Sequence, residues 1–131
     1  MNVAGSVLVD TNVVVAYFRG DEAIHPHFAG VTPVYLPWVV LGELHFGAQR
    51  AQRRQEQLAY IHDLLTYAVV LFPDQDTTEM YGQVKAELAG LGKPIPDNDL
   101  WIAAVARQHD LPLATRDAHF AQVPGLKTMA W

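Results

Sequence analysis

Val7-Leu8-Val9-Asp10-Thr11-Asn12-Val13-Val14-Val15-Ala16-Tyr17-Phe18 is the stretch on which the reading of the fold turns. Its first three residues form a short apolar run that reads as a buried strand. Asp10, Thr11 and Asn12 then offer side chains that cap helices. Val13 to Phe18 is apolar nearly all round and Gly20 closes it, so this helix is expected to be buried.

The rest of the chain repeats the alternation. Val34-Tyr35-Leu36 reads as a second strand, Pro37 as a helix start, and Trp38 to about Ala51 as the helix that follows. Leu58, Ile61, Leu64 and Leu65 have helical spacing within about Arg53 to Thr66, and Ala68 to Phe72 is a third apolar run. Asp76-Thr77-Thr78-Glu79 has the spacing of a capping box and launches a helix ending near Gly90 to Gly92. Two prolines make Lys93-Pro94-Ile95-Pro96 a loop. Asp97 to His109 reads as a helix, Leu113-Ala114 as a fourth strand and Lys127 to Ala130 as a possible fifth. Asp21 to Ala29 has the content of a short helix interrupted by Pro26. Short strands, apolar on both faces and alternating with helices, predict a three-layer α/β/α sandwich around a mostly parallel sheet of four to five strands.

The 131 residues suit a single domain, 1–131. Half are hydrophobic and the mean hydropathy is +0.06, enough for a sizeable core. Only 18% are charged, against about 25% in an average protein, so each charge is informative. Nine bases against 14 acids give a net charge of −5, which excludes a broad basic surface for nucleic acid but not binding through cations. The absence of cysteine excludes disulfides, thiolate zinc sites and a cysteine nucleophile. Met1 to Gly5 has no leader pattern and no apolar run is long enough to span a bilayer, so a cytoplasmic protein is expected.

In parallel sheets, ligands collect at the carboxyl ends of the strands. Asp10 follows the first strand and Asp117 the fourth, within Thr115-Arg116-Asp117. Each has an ordinary reading as a cap or turn residue, as do Thr11 and Asn12. Glu43 has Val39, Val40, Phe46 and Gly47 as its helical neighbours, with no Arg or Lys within four positions. It is either a buried carboxylate that needs a partner or a residue at the stripe's edge reaching water. Asp99 heads an apolar face with Ile102, Ala103 and Ala106, whereas Asp97 is the better N-cap. Jointly the four acids suggest one pocket, where their repulsion would require protonation or divalent cations. Oxygen-only ligands point to Mg²⁺ or Mn²⁺ rather than zinc.

Together these segments resemble the PIN domain. Val7 to Val13 is similar to its opening, Leu41-Gly42-Glu43-Leu44 with Gly47 to its second acidic motif, and Pro96 to Ala104 to its third. Leu113 to Asp117 with Phe120 is similar to the fourth. Order, spacing and size resemble the VapC-type toxins of bacterial toxin–antitoxin pairs. The resemblance implies a metal-dependent ribonuclease inhibited by an antitoxin and commonly self-associating as a homodimer. It implies Asp10, Glu43, Asp99 and Asp117 as catalytic and metal-binding acids, with Asn12, Thr115, Arg116 and Asp97 in support. Trp101 is bulkier than the small aliphatic residue of the pattern.

Hydrolysis at such a site would leave a 5′-phosphate and a 3′-hydroxyl. Arg50, Arg53 and Arg54 form the densest basic cluster and are either phosphate contacts or a solvated helix face. Arg116 has both a substrate-contacting and a surface reading. None of the six histidines has a clean ligand spacing. Trp38, Trp101, Tyr17 and Phe18 read as core or interface. The competing functions are a small aspartyl-type phosphatase, disfavoured because Asn12 stands where a second Asp is wanted, and a metal-binding RNA- or protein-interaction module without turnover.

Overall fold

The structure, a computed structural model, describes residues 5–30 and 33–131, so the Met1 to Ala4 part of the leader reading lies outside the described residues. Five strands form one parallel sheet in the order β3-β2-β1-β4-β5. They are β1 (Val7–Val9), β2 (Val34–Pro37), β3 (Ala68–Leu71), β4 (Leu113–Ala114) and β5 (Thr128–Met129). The helices are α1 (Thr11–Phe18), α2 (His25–Gly30), α3 (Trp38–Arg50), α4 (Arg54–Leu64), α5 (Gln75–Gly90) and α6 (Asp97–Gln108). A 3₁₀ helix, Ala118–Gln122, follows β4. Among the described residues no helix is long and apolar enough to cross a membrane.

Successive strand residues point to opposite faces, and Val7, Leu8 and Val9 are all buried, so β1 is covered on both sides by helices. β4 is equally buried. The edge strand β3 is not apolar-in on both faces: Val69 is 43% exposed. The chain leaves β1 for β2 and β3 on one side and returns to β4 on the other. The strand order therefore reverses between β1 and β4, which is where an open α/β sheet forms its crevice.

Several local expectations shift. The capping box of α5 is Asp74 with Thr77, not Asp76 with Glu79: Asp74 Oδ1 accepts from the Thr77 N–H at 3.0 Å and Thr77 Oγ1 accepts from the Asp74 N–H at 3.0 Å. A tertiary contact selects that start, because the Thr77 hydroxyl also reaches Gln108 Oε1 on α6 at 2.6 Å. Pro26 lies in the first turn of α2 rather than interrupting it, where its missing N–H breaks no helix bond. Pro96, not Asp97, is the N-cap of α6, and no side chain caps that end. The helix α1 is half-buried: Val13, Val14 and Ala16 are inside, while Val15 and Phe18 border a groove. It stops at Gly20, whose φ of +77° is the left-handed conformation that glycine adopts without steric cost.

Candidate functional site

The parallel pairing of β1 with β4 puts Val9 opposite Ala114, and the Asp10 N–H donates to the Ala114 carbonyl at 3.0 Å. One residue beyond both strands, Asp10 and Thr115 meet across 105 positions of sequence: the Thr115 hydroxyl donates to Asp10 Oδ2 at 2.7 Å. Asp10 Oδ1 accepts from the Thr11 N–H at 2.8 Å, so this acid both caps α1 and faces the crevice. The next hydroxyl, Thr11 Oγ1, donates to Glu43 Oε1 at 2.7 Å and fixes the α3 acid against the α1 start. Asn12 Oδ1 accepts the Arg116 N–H at 3.2 Å, tying the loop after β1 to the loop after β4.

Asp10, Glu43, Asp99 and Asp117 line one cleft of about 670 Å³, with Thr11, Asn12, Arg19 and Arg116 among its other walls. All four acids are thus brought to one place, together with Asn12, Thr115 and Arg116. Glu43 sits at the border of the α3 stripe, since its buried line is Val40, Leu44 and Ala48 while Phe46 is 62% exposed. Asp97 does not join them: it is 71% exposed, lies 3.7 Å from Lys85 Nζ and accepts from the Tyr81 hydroxyl at 3.0 Å. Arg116 is turned away from Asp117, pairing with Asp21 at 3.0 Å and donating from Nε to the Trp131 carbonyl at 2.8 Å. The other basic cluster is engaged locally: Arg50 stacks over Phe46, Arg53 pairs with Glu56 and Arg54 donates to the Gln49 carbonyl. Trp101 is stacked on Tyr81, 4.0 Å between centroids, and meets Trp38 edge-on.

One site residue has no precedent in the sequence reading. His119 Nε2 lies 2.8 Å from Asp99 Oδ2 and its Nδ1 lies 2.8 Å from Asp117 Oδ1. The imidazole therefore bridges α6 and the 3₁₀ turn. Its two-residue offset from Asp117 was visible, but its second partner, Asp99, lies 20 residues away and only the fold supplies it.

Burial sets the electrostatics. Desolvation pushes the Asp10 carboxyl above its usual pKa, partly countered by the bonds from Thr115 and Thr11, and the Asp117 charge adds to the rise. Desolvation raises Asp99 likewise, with His119 opposing it and Asp10 and Asp117 reinforcing it. Carboxylates held close and dehydrated in this way gain from a cation among them. Among the described residues, ligand atoms of Asp99, Asp117 and His119 lie within 4.8 Å of one another. The donor set is oxygen-rich and suits a hard divalent cation.

Comparison with known proteins agrees with this fold. The PIN domain family model matches residues 7–126. The chain is 36% identical over 127 residues to a tRNA(fMet)-specific endonuclease VapC of Shigella flexneri, covering 95% of this chain and 96% of that protein. It is 35% identical over 124 residues to Ribonuclease VapC5 of Mycobacterium tuberculosis, covering 90% and 87%. The DNA-bound VapBC structure from Salmonella typhimurium superposes with a TM-score of 0.89 at 27% identity, covering 95% of this chain and 96% of that one.

Proposed function

Because the chain belongs to the PIN-domain family, with VapC ribonucleases as relatives along nearly its whole length, we propose that it is a divalent-cation-dependent endoribonuclease and the toxin of a toxin–antitoxin pair. The observation that carries this reading is the meeting of Asp10, Glu43, Asp99 and Asp117 in one cleft where the strand order reverses. These carboxylates would hold Mg²⁺ or Mn²⁺. When bound, the cation supplies charge stabilisation to the phosphodiester and eases loss of a proton from the attacking water.

The chain's own residues prepare that chemistry. Thr115 and the Thr11 N–H orient Asp10, and the Thr11 hydroxyl orients Glu43. Asn12 holds the two strand-end loops together, a positioning role unlike that of a phosphatase's acid. Arg19 lines the cleft and meets the phosphates of the RNA, while Arg116, held by Asp21 and the Trp131 carbonyl, braces the cleft wall. Water attacks phosphorus, the P–O3′ bond breaks, and the products carry a 5′-phosphate and a 3′-hydroxyl.

A groove lined by Phe18, Leu44, Gly47 and Ala48 continues from the cleft through the shared residues Val15, Arg19 and Glu43. An antitoxin segment lying there, with an Arg or Lys reaching the carboxylates, would block the site by neutralising it. Acting on RNA, the protein works in the cytoplasm. The test is expression with and without the product of the neighbouring small reading frame, followed by mapping of RNA ends. Growth arrest relieved by the neighbour, with new 5′-phosphate ends, is the expected result. Unchanged growth with intact RNA would sink the reading.

A further inference from the structure

Among the described residues, His119 is the imidazole placed against these carboxylates, and the two sides of its ring are not equivalent. On the Nδ1 side, Asp117 Oδ1 accepts from the His119 backbone N–H at 3.3 Å as well as facing Nδ1 at 2.8 Å. That oxygen is committed twice to the same residue, within one turn of 3₁₀ helix. Asp117 is itself fixed by its N–H, which donates to Thr115 Oγ1 at 3.0 Å. Phe120, fully buried beside the ring at 5.0 Å between centroids, anchors the turn in the core. On the Nε2 side stands Asp99, from a different element, electrostatically coupled to Asp10. One nitrogen is thus held by local scaffolding while the other faces Asp99, one of the cleft acids. A carboxylate that fixes one ring nitrogen while the other binds a cation is the usual way a histidine ligand is oriented.

We propose that His119 is a ligand of the cation held in this cleft, binding through Nε2 beside Asp99, with Asp117 acting as the residue that orients its ring. The inference rests on the cation-dependent reading of the cleft and changes its donor chemistry. An imidazole among oxygens favours Mn²⁺ and later transition ions over Mg²⁺, because imidazole suits those ions better than it suits Mg²⁺. Asp117 then serves the cation through His119, which accounts for the use of its Oδ1.

The direct test needs no variant. The full chain is loaded with Mn²⁺ and examined by pulsed electron paramagnetic resonance for coupling to a bound ¹⁴N nucleus, then repeated with ¹⁵N-labelled histidine. A nitrogen coupling that changes isotope with the histidine label, and that is lost in His119→Gln, is expected. In calorimetric titration, His119→Gln should weaken Mn²⁺ binding at least about tenfold while Mg²⁺ binding changes less than about threefold. Far-UV circular dichroism of the metal-free variant checks that it folds. Mn²⁺ bound in wild type and lost in Asp10→Asn, but without nitrogen coupling, would overturn the role of His119 and leave the carboxylate site standing. Failure of Mn²⁺ to bind at all would overturn both.

Discussion

Asp10 is asked to be buried, to cap a helix and to remain a carboxylate. Because burial raises its pKa, the folded protein favours its protonated form more than the unfolded chain does. The sign follows: in metal-free protein, stability falls as pH rises from the ordinary aspartate value of 3.8 through the raised folded value. Asp10→Asn keeps an acceptor for Thr11 and a polar partner for Thr115 without the charge. In EDTA at pH 7 it should unfold about 2–6 °C higher than wild type, with the gain fading as pH falls towards 3.8. Saturating Mn²⁺ should stabilise wild type and not the variant. Thermal scans in both conditions check this, and equal responses to Mn²⁺ would contradict it.

Thr115 gives a second test at this scale. Thr115→Val removes the hydroxyl that donates to Asp10 and accepts from the Asp117 N–H, at an expected cost of about 1–2 kcal/mol. Losing a bond that lowers the Asp10 pKa moves it further up, so the acid limb of the pH–activity profile should shift to higher pH. An unshifted limb would separate Asp10 from that titration. Asp10 was legible in the sequence because it follows a strand end, whereas Thr115 and Asn12 were named through the family resemblance. His119 was not, since its partner on α6 is close only in space.

At the scale of elements, the 3₁₀ helix Ala118–Gln122 carries the site's least predictable geometry on its most buried anchor. Phe120 is fully buried one residue after His119. Phe120→Ala should cost about 3–5 kcal/mol in chemical denaturation. It should also weaken Mn²⁺ binding, because the turn that holds Asp117 and His119 loses its footing. A large stability loss with unaltered metal affinity would show that the turn is held by other contacts. The regular elements were largely readable: α3 and α6 follow from their apolar spacing and β1 to β3 from short apolar runs. Helix starts were harder. The beginning of α5 is chosen by Thr77 reaching Gln108 on α6, and that of α6 by backbone direction at Pro96, neither of which is local side-chain pattern.

For the whole molecule, the net charge of −5 acquires a location. Five of the 14 acids (Asp10, Asp21, Glu43, Asp99 and Asp117) and two of the nine bases (Arg19 and Arg116) line the cleft, leaving nine acids against seven bases elsewhere, a nearly balanced surface. An acidic chain can then act on RNA because its excess negative charge is a binding site for cations rather than a general repulsive field. Sheet order completes the picture: β1 and β4 are adjacent although more than a hundred residues separate them, and their carboxyl ends bring Asp10 and Asp117 to one crevice. The most direct test is cleavage of RNA by the purified full chain in Mn²⁺ or Mg²⁺, in EDTA, and with Asp10→Asn. Cleavage to 5′-phosphate ends, abolished by EDTA and reduced at least about a hundredfold in the variant, is the predicted result. Undiminished cleavage by Asp10→Asn, or by wild type in EDTA, would contradict it.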